Sequence, residues 1–243
     1  MKKVLIIQLR PENETSDAEF QAFINVGGID ENRVERVRAE QVGLDGLVPS
    51  DYSAIIVGGS PFDFTTPEND KSPIQKKLET QFRKFMKEVV DKDIPFLGAC
   101  SGSGILGSYL GEKITQKYGE PVEGLDVYLT EEGRKDKLLL GFPHKFRALA
   151  GHKEALESAP PGSVMLAYSK TCPVHMFRAG KNVYATQFHP ESDPEQFKLR
   201  IEVYKHHGYF NKDDAEKLAK KVDGEDTPYA KQILKNFVSH YVY

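Results

Sequence analysis

The chain has no tryptophan and only two cysteines, Cys100 and Cys172, among its 243 residues. Two cysteines are too few for a disulfide-stapled scaffold, and a reducing, cytoplasmic setting is the simplest expectation. Long apolar runs are also missing. Val4 to Ile7, the first such run, is broken by Gln8 and Arg10, so Lys2-Lys3 does not introduce a signal peptide, and no stretch approaches membrane-spanning length. An excess of one charge sign is absent too: the formal net charge is -3, with both signs dispersed along the chain. That balance offers no general attraction to nucleic acid or to an anionic membrane, and neither is expected as a partner. There is no internal repeat, no low-complexity tract and no P-loop.

What is present is a pattern of short buried strands alternating with helices. Val4 to Leu9 and Tyr52 to Val57 are continuous apolar runs of the kind a parallel sheet covers on both faces. Ser16-Asp17-Ala18-Glu19 has the form of a capping box, with Phe20, Phe23 and Ile24 following at helical spacing. Arg33 to Gln41 alternates as an edge strand would. Ser72-Pro73 opens a long helix with Ile74, Leu78, Phe82, Phe85, Met86, Val89 and Val90 on one face. Alternation of this kind predicts an α/β fold with an open, mostly parallel, doubly wound sheet and helices on both faces.

Beyond Leu110 the pattern changes to closely spaced strand-like runs at 113–115, 125–130, 145–149, 164–169, 175–178 and 183–187. These predict an antiparallel extension of the sheet or a small flanking sheet. From Asp193 onward the pattern is helical, and Thr227-Pro228 opens a last helix bearing Ile233, Leu234, Phe237, Val238 and Tyr241. Two segments are therefore expected: residues 1–192 as the main domain, and 193–243 as a helical extension packed on it. His206 and His207 read as solvated residues of that tail.

The stretch Pro95 to Leu110 organises the rest. A short strand runs into Gly98-Ala99-Cys100-Ser101-Gly102 and then into a helix carrying Ile105, Leu106, Tyr109 and Leu110. Glycines on both sides of an apical cysteine match a nucleophile elbow, in which neighbouring Cβ atoms would clash. At the start of a helix, the dipole favours thiolate over thiol, which makes Cys100 the candidate nucleophile. A buried, inert core cysteine is the plainer alternative. A second functional alternative is a dinucleotide fingerprint formed by Gly102, Gly104 and Gly107, with Glu123 or Asp126 as its acidic residue.

A nucleophilic cysteine needs a base, and the base needs an orienting group. His189-Pro190-Glu191 supplies both; read as extended chain, it places the two side chains on one side, with Glu191 free to fix the imidazole tautomer. His144 and His152 read as structural hydrogen-bonding residues.

In order along the chain, Gly58-Gly59-Ser60-Pro61, Gly98-Ala99-Cys100-Ser101-Gly102 and Gln187-Phe188-His189-Pro190-Glu191 resemble the motifs of class I glutamine amidotransferases, close to the amidotransferase domain of GMP synthase. The resemblance runs from Met1 to about Glu191 and includes Gly151-His152 and Ser169 to Val174. It implies that Cys100 attacks the γ-carboxamide of glutamine, that His189 relays protons, and that Glu191 orients His189. It also implies an oxyanion hole from the backbone N–H groups of Gly59 and Ser101, and substrate contacts at Gly58, Gly104, Cys172, Pro173 and Val174. No metal or cofactor is implied. A small-molecule amide is the expected substrate, with a separate synthetase chain as ammonia acceptor and a second copy of the chain as further candidate partners. The family's elbow continues Cys-x-Gly-x-Gln, and Gly104 stands at the glutamine position. A γ-glutamyl peptide hydrolase and a non-catalytic relative that has lost glutamine selection are accordingly the alternatives.

Overall fold

In the computed structural model, residues 2–205 and 210–243 are described, so His206 and His207 lie outside the described residues. A nine-stranded sheet forms the centre. Its parallel half comes from β1 (Val4–Gln8), β2 (Val34–Arg38), β3 (Ala54–Val57) and β4 (Phe96–Ala99). Between these strands lie α1 (Asn13–Gly27), the short α2 (Ala39–Val42) and α3 (Pro73–Asp91), and α4 (Ser101–Tyr109) follows β4. Next come β5 (Ile114–Thr115), β6 (Glu120–Leu129), α5 (Glu131–Lys135), β7 (Lys145–His152), β8 (Ala155–Leu156), β9 (Val164–Tyr168), β10 (Met176–Ala179) and β11 (Val183–Thr186). The strand order is β2-β1-β3-β4-β11-β10-β9-β6-β7, and β5 and β8 form a separate antiparallel pair.

Side chains alternate across β1 as a strand requires. Val4 and Ile6 join Phe20 and Phe23 of α1 in one buried cluster, whereas Leu5 and Ile7 join Phe82, Phe85 and Met86 of α3 in another. Two covered faces explain why these strands are continuously apolar. β2 is an edge strand, with one strand residue, Val37, buried.

Most of the later strands extend the sheet, as the spacing predicts. β11 does not simply continue the antiparallel series; it pairs in parallel with β4, Thr186 opposite Ala99. That placement carries the chain from β11 to the same sheet end as Cys100. β6 also starts earlier than expected, at Glu120, with a bulge between Glu120 and Glu123 that accommodates Pro121.

α6 (Pro194–Tyr204), α7 (Ala215–Val222) and α8 (Pro228–Tyr241) complete the chain. Asp193 caps α6 by accepting from the Gln196 N–H at 3.0 Å, with Pro194 in the first turn. Ile233, Leu234, Phe237 and Val238 of α8 are buried in the cluster shared with α1 and β7. Among the described residues, no helix is long and apolar enough to cross a membrane.

Candidate active site

Cys100 lies between β4 and α4 with φ +54°, a backbone region that a non-glycine residue enters only under strain. The flanking glycines make the turn feasible. A Cβ on Gly98 would fall 2.6 Å from the backbone of Gly102, and one on Gly102 would fall 3.0 Å from the Val57 carbonyl. Strand and helix thus touch backbone to backbone, and the cysteine is left at the apex. The Cys100 N–H donates to the Thr186 carbonyl at 2.8 Å, which fixes the elbow to the end of β11.

Three residues beyond Thr186, the His189 ring is buried, with its Nδ1 2.7 Å from Glu191 Oε1. Proximity comes from a turn and not from the extended chain expected above. The Ser192 N–H approaches the His189 carbonyl at 3.4 Å, placing Pro190 at the turn position its fixed φ suits. Ser192 Oγ donates to Glu191 Oε1 at 3.0 Å, and Arg200 Nη2 of α6 donates to the same oxygen at 3.1 Å. The Phe197 ring meets the imidazole edge-on, 5.4 Å between centroids.

Behind His189 stands a buried ionic network that sequence reading did not find. Arg10, just after β1, donates from Nε to Glu19 Oε1 at 2.7 Å, and Arg200 Nη2 lies 3.8 Å from the same oxygen. Glu19 is therefore not a capping residue: α1 begins at Asn13, six residues earlier, and Glu19 is fully buried within it. A helix register puts Glu19 on the same face as Phe23, toward the sheet end. No local signal marks Arg200, which is eleven residues beyond His189.

The electrostatics follow from burial. Burial pushes the Cys100 thiol up to about 11, against the pull of the Arg10 and Arg200 cations. Desolvation of the anion thus opposes the thiolate that the helix terminus favours. His189 is lowered from its ordinary value, first by burial, with Glu191 opposing. Glu191 is held below the usual carboxylate range: burial raises it, but His189 and Arg200 together win. Burial thus works against the charged form of both groups.

Gly59 lies against the same buried network. Its N–H donates to Glu19 Oε1 at 3.2 Å, so that group is already committed to a carboxylate. Gly59 instead supplies room: a Cβ there would collide with Arg10 Nη2 and lie 3.0 Å from His189 Cε1. Gly58 similarly packs on Glu19, with its N–H on the Ile7 carbonyl at 3.0 Å. Ser101 begins α4, where an N–H has no intrahelical acceptor.

Two clefts meet at Cys100. One is lined by Arg10, Gly151, His189, Phe197, Arg200 and Tyr204, the other by Phe62, Phe64, Ser101, Gly104, His152 and Gln187. Gly104 lines the second cleft, and the Phe64 ring occupies the space beside it; a Cβ on residue 104 would be 2.7 Å from Phe64 Cε2. Gly102, Gly104 and Gly107 all lie within α4 and serve its close packing on Val57, Phe64 and Leu156, not a phosphate-cradling turn before it. Glu123 and Asp126 sit on β6, four strands from β4 in the sheet. Cys172 and Val174 are buried and line neither cleft, and Pro173 is half-buried. Cys172 lies instead beside Glu120, His152 and His175.

Comparison with known proteins bears on the family and the fold. Residues 28–205, more than half of the chain, match the family described as glutamine amidotransferase class-I. Over 109 residues, 44% of this chain and 56% of the relative, it is 28% identical to a glutamine-hydrolyzing GMP synthase subunit of Pyrococcus abyssi. Over 103 residues, 42% of this chain and 53% of the relative, it is 32% identical to the corresponding protein of Methanococcus maripaludis. The matched stretch thus spans about half the length of these relatives. A glutamine amidotransferase from Thermotoga maritima superposes with a TM-score of 0.76 at 22% identity, covering 100% of this chain and 99% of that one. Another, from Methylobacillus flagellatus, superposes with a TM-score of 0.70 at 16% identity, covering 99% and 96%. At such identities these likenesses speak for the fold. By its fold and by the family match over most of its length, the chain belongs to the class I glutamine amidotransferases.

Proposed function

We propose that this chain is a cysteine-dependent amide hydrolase that acts on glutamine or a γ-glutamyl compound, with Cys100, His189 and Glu191 as its triad. The observation that carries the reading is the 2.7 Å contact of His189 Nδ1 with Glu191, in a cleft shared with an apical Cys100 at φ +54°. A carboxylate accepts only, so Nδ1 holds the proton and Nε2 is left as the base.

In this reading the Cys100 proton passes to His189 Nε2 as Sγ attacks the amide carbon. The developing oxyanion is held by the Ser101 N–H at the start of α4. Collapse expels ammonia, or an amine, which takes the proton from His189. Water, deprotonated by His189, then cleaves the thioester and returns the proton to sulfur. Because the thiol is raised to about 11, proton transfer accompanies attack and does not precede it. Residues 193–243 belong to the same folding unit, since α6 supplies Arg200 to the triad and α8 packs on α1. A synthetase chain that receives the ammonia completes the proposal, since the relatives are subunits of a glutamine-hydrolyzing GMP synthase, and a cytoplasmic setting is proposed with it.

One observation favours the γ-glutamyl reading as the second choice. Phe64 fills the place beside Gly104 where the family's glutamine would reach substrate, so that cleft wall is apolar. The deciding experiment is intact mass spectrometry after incubation with an electrophilic glutamine analogue, with Cys100→Ser as control. One adduct per wild-type chain that excess glutamine suppresses supports glutamine as substrate. Reaction with iodoacetamide but not with the analogue shifts the choice to γ-glutamyl compounds, and no reaction at Cys100 with either removes the enzyme reading.

A further inference from the structure

Across β6 and β7, Glu120 and His152 are register partners, and the loop between β9 and β10 brings Cys172 and His175 to the same place. The four ligand atoms lie within 4.8 Å of one another and all four residues are buried. We infer that Glu120, His152, Cys172 and His175 form a tetrahedral site for a zinc-class divalent cation.

Hydrogen bonding of Glu120 and the two histidines points the same way, while the Cys172 thiol donates to the Val174 carbonyl at 3.6 Å and would have to give up that bond. His152 Nδ1 lies 3.1 Å from the Glu154 carbonyl, which can only accept, so Nδ1 carries the proton. A neutral His152 then directs a bare Nε2 at Glu120 Oε2, 2.9 Å away, lone pair against lone pair. His175 Nε2 converges on the same oxygen at 2.8 Å. A cation between them resolves the conflict. The other Glu120 oxygen is held by the hydroxyls of Ser169, at 2.7 Å, and Thr171, the outer support that ligating carboxylates usually have. A second proton on His152 would also resolve it, giving a plain buried ion pair, and a metal titration separates the two.

Two imidazoles, one thiolate and one carboxylate are the donors that zinc accepts, whereas magnesium and calcium take oxygen. Bonds of about 2.0–2.3 Å set tetrahedral ligand atoms roughly 3.3–3.6 Å apart, so the two His–Glu contacts must open slightly and the longer gaps close. Four protein ligands make the site a structural one. On binding, the Cys172 thiol proton leaves to solvent and sulfur supplies the electron pair. The consequence lies beside Cys100. Glu154, two residues from His152, accepts from the Phe64 N–H at 2.6 Å and the Thr65 N–H at 2.9 Å, so a metal clip would stiffen the cleft wall.

The test is a cobalt(II) titration of the full chain after chelator treatment, followed by displacement with zinc. One equivalent of cobalt should give intense visible bands of tetrahedral geometry and a near-ultraviolet thiolate charge-transfer band. The chain has only two cysteines, so a thiolate band that persists in Cys100→Ser assigns Cys172. His175→Gln, checked for folding by circular dichroism, should weaken binding by about 100-fold or more. Weak octahedral bands, no binding, or a thiolate band that disappears in Cys100→Ser would overturn the site. Should Cys172→Ser fail to fold, the wild-type and Cys100→Ser spectra still decide.

Discussion

Glu19 and Gly59 are joined by a 3.2 Å hydrogen bond that ties the middle of α1 to the loop beside Cys100. The same carboxylate oxygen accepts from Arg10, so one buried anion neutralises a buried cation and fixes a loop. Glu19→Ala leaves the Arg10 guanidinium without its principal counter-charge. The expected cost is about 3–5 kcal/mol of unfolding free energy, because an unpaired buried charge is penalised more than a pair is worth. Denaturant melts of Glu19→Ala, Arg10→Met and the Glu19→Leu/Arg10→Met double variant check this, and the double variant should be the more stable of the two that lack Glu19.

Cys100 should react as a thiol. With its pKa pushed to about 11, the thiolate fraction at neutral pH is small and grows about tenfold per pH unit. The rate of alkylation by iodoacetamide is expected to rise in that proportion from pH 7 to 9. A rate independent of pH over this range would mean a preformed thiolate–imidazolium pair.

Hydrolysis should lose activity only in acid. His189 is neutral when it acts as base, and burial lowers it below 6.5, so the acid limb of kcat/KM falls below pH 6.5. Glu191→Gln removes the anion that fixes the Nδ1 proton and should reduce kcat by roughly 10²–10⁴-fold with the fold retained. It should also flatten the acid side of the stability profile. Glu191 is depressed in the folded chain, so its stabilisation is present above about pH 4.5 and is lost as pH falls below that value, where the unfolded chain takes up a proton that the native one does not. Thermal melts between pH 3 and 6 measure the difference.

Gly104→Gln places a side chain against the Phe64 ring, at a cost of about 1–3 kcal/mol from overpacking. Adding Phe64→Ala should recover that stability. If residue 104 sets glutamine recognition, the double variant also lowers KM for glutamine by about tenfold, which a steady-state glutaminase assay reads; an unchanged KM would place recognition elsewhere in the cleft.

Phe237 of α8 is fully buried against α1 and the sheet. Phe237→Ala should cost about 3–5 kcal/mol and shift one cooperative unfolding transition of the whole chain. A separate low-temperature transition would instead mark 193–243 as an independent unit.

Much of the site is legible before folding because its parts are local. The elbow at Cys100 depends on glycines two residues to either side, and His189 and Glu191 are separated by one proline. The extended geometry that this tripeptide suggests does not form, since a turn of the same length brings the side chains together equally well. Glu19 misleads because an acidic residue three places after a serine has the same appearance whether it caps a helix or lies buried in its middle.

The sequence by itself determined the alternation of short apolar strands and amphipathic helices, the strained turn at Cys100 and the pairing of His189 with Glu191. Each depends on periodicity or backbone constraint within a few residues. Tertiary structure alone decided that β11 lies parallel beside β4 and so delivers His189 to Cys100. It alone joined Arg10, Glu19 and Arg200 behind the imidazole, and gathered Glu120 and His152 at the ends of β6 and β7 with Cys172 and His175 from the loop between β9 and β10. Charge pairs between distant residues leave no periodic trace, because their energy depends on separation in space and on exclusion of water, and strand order sets both.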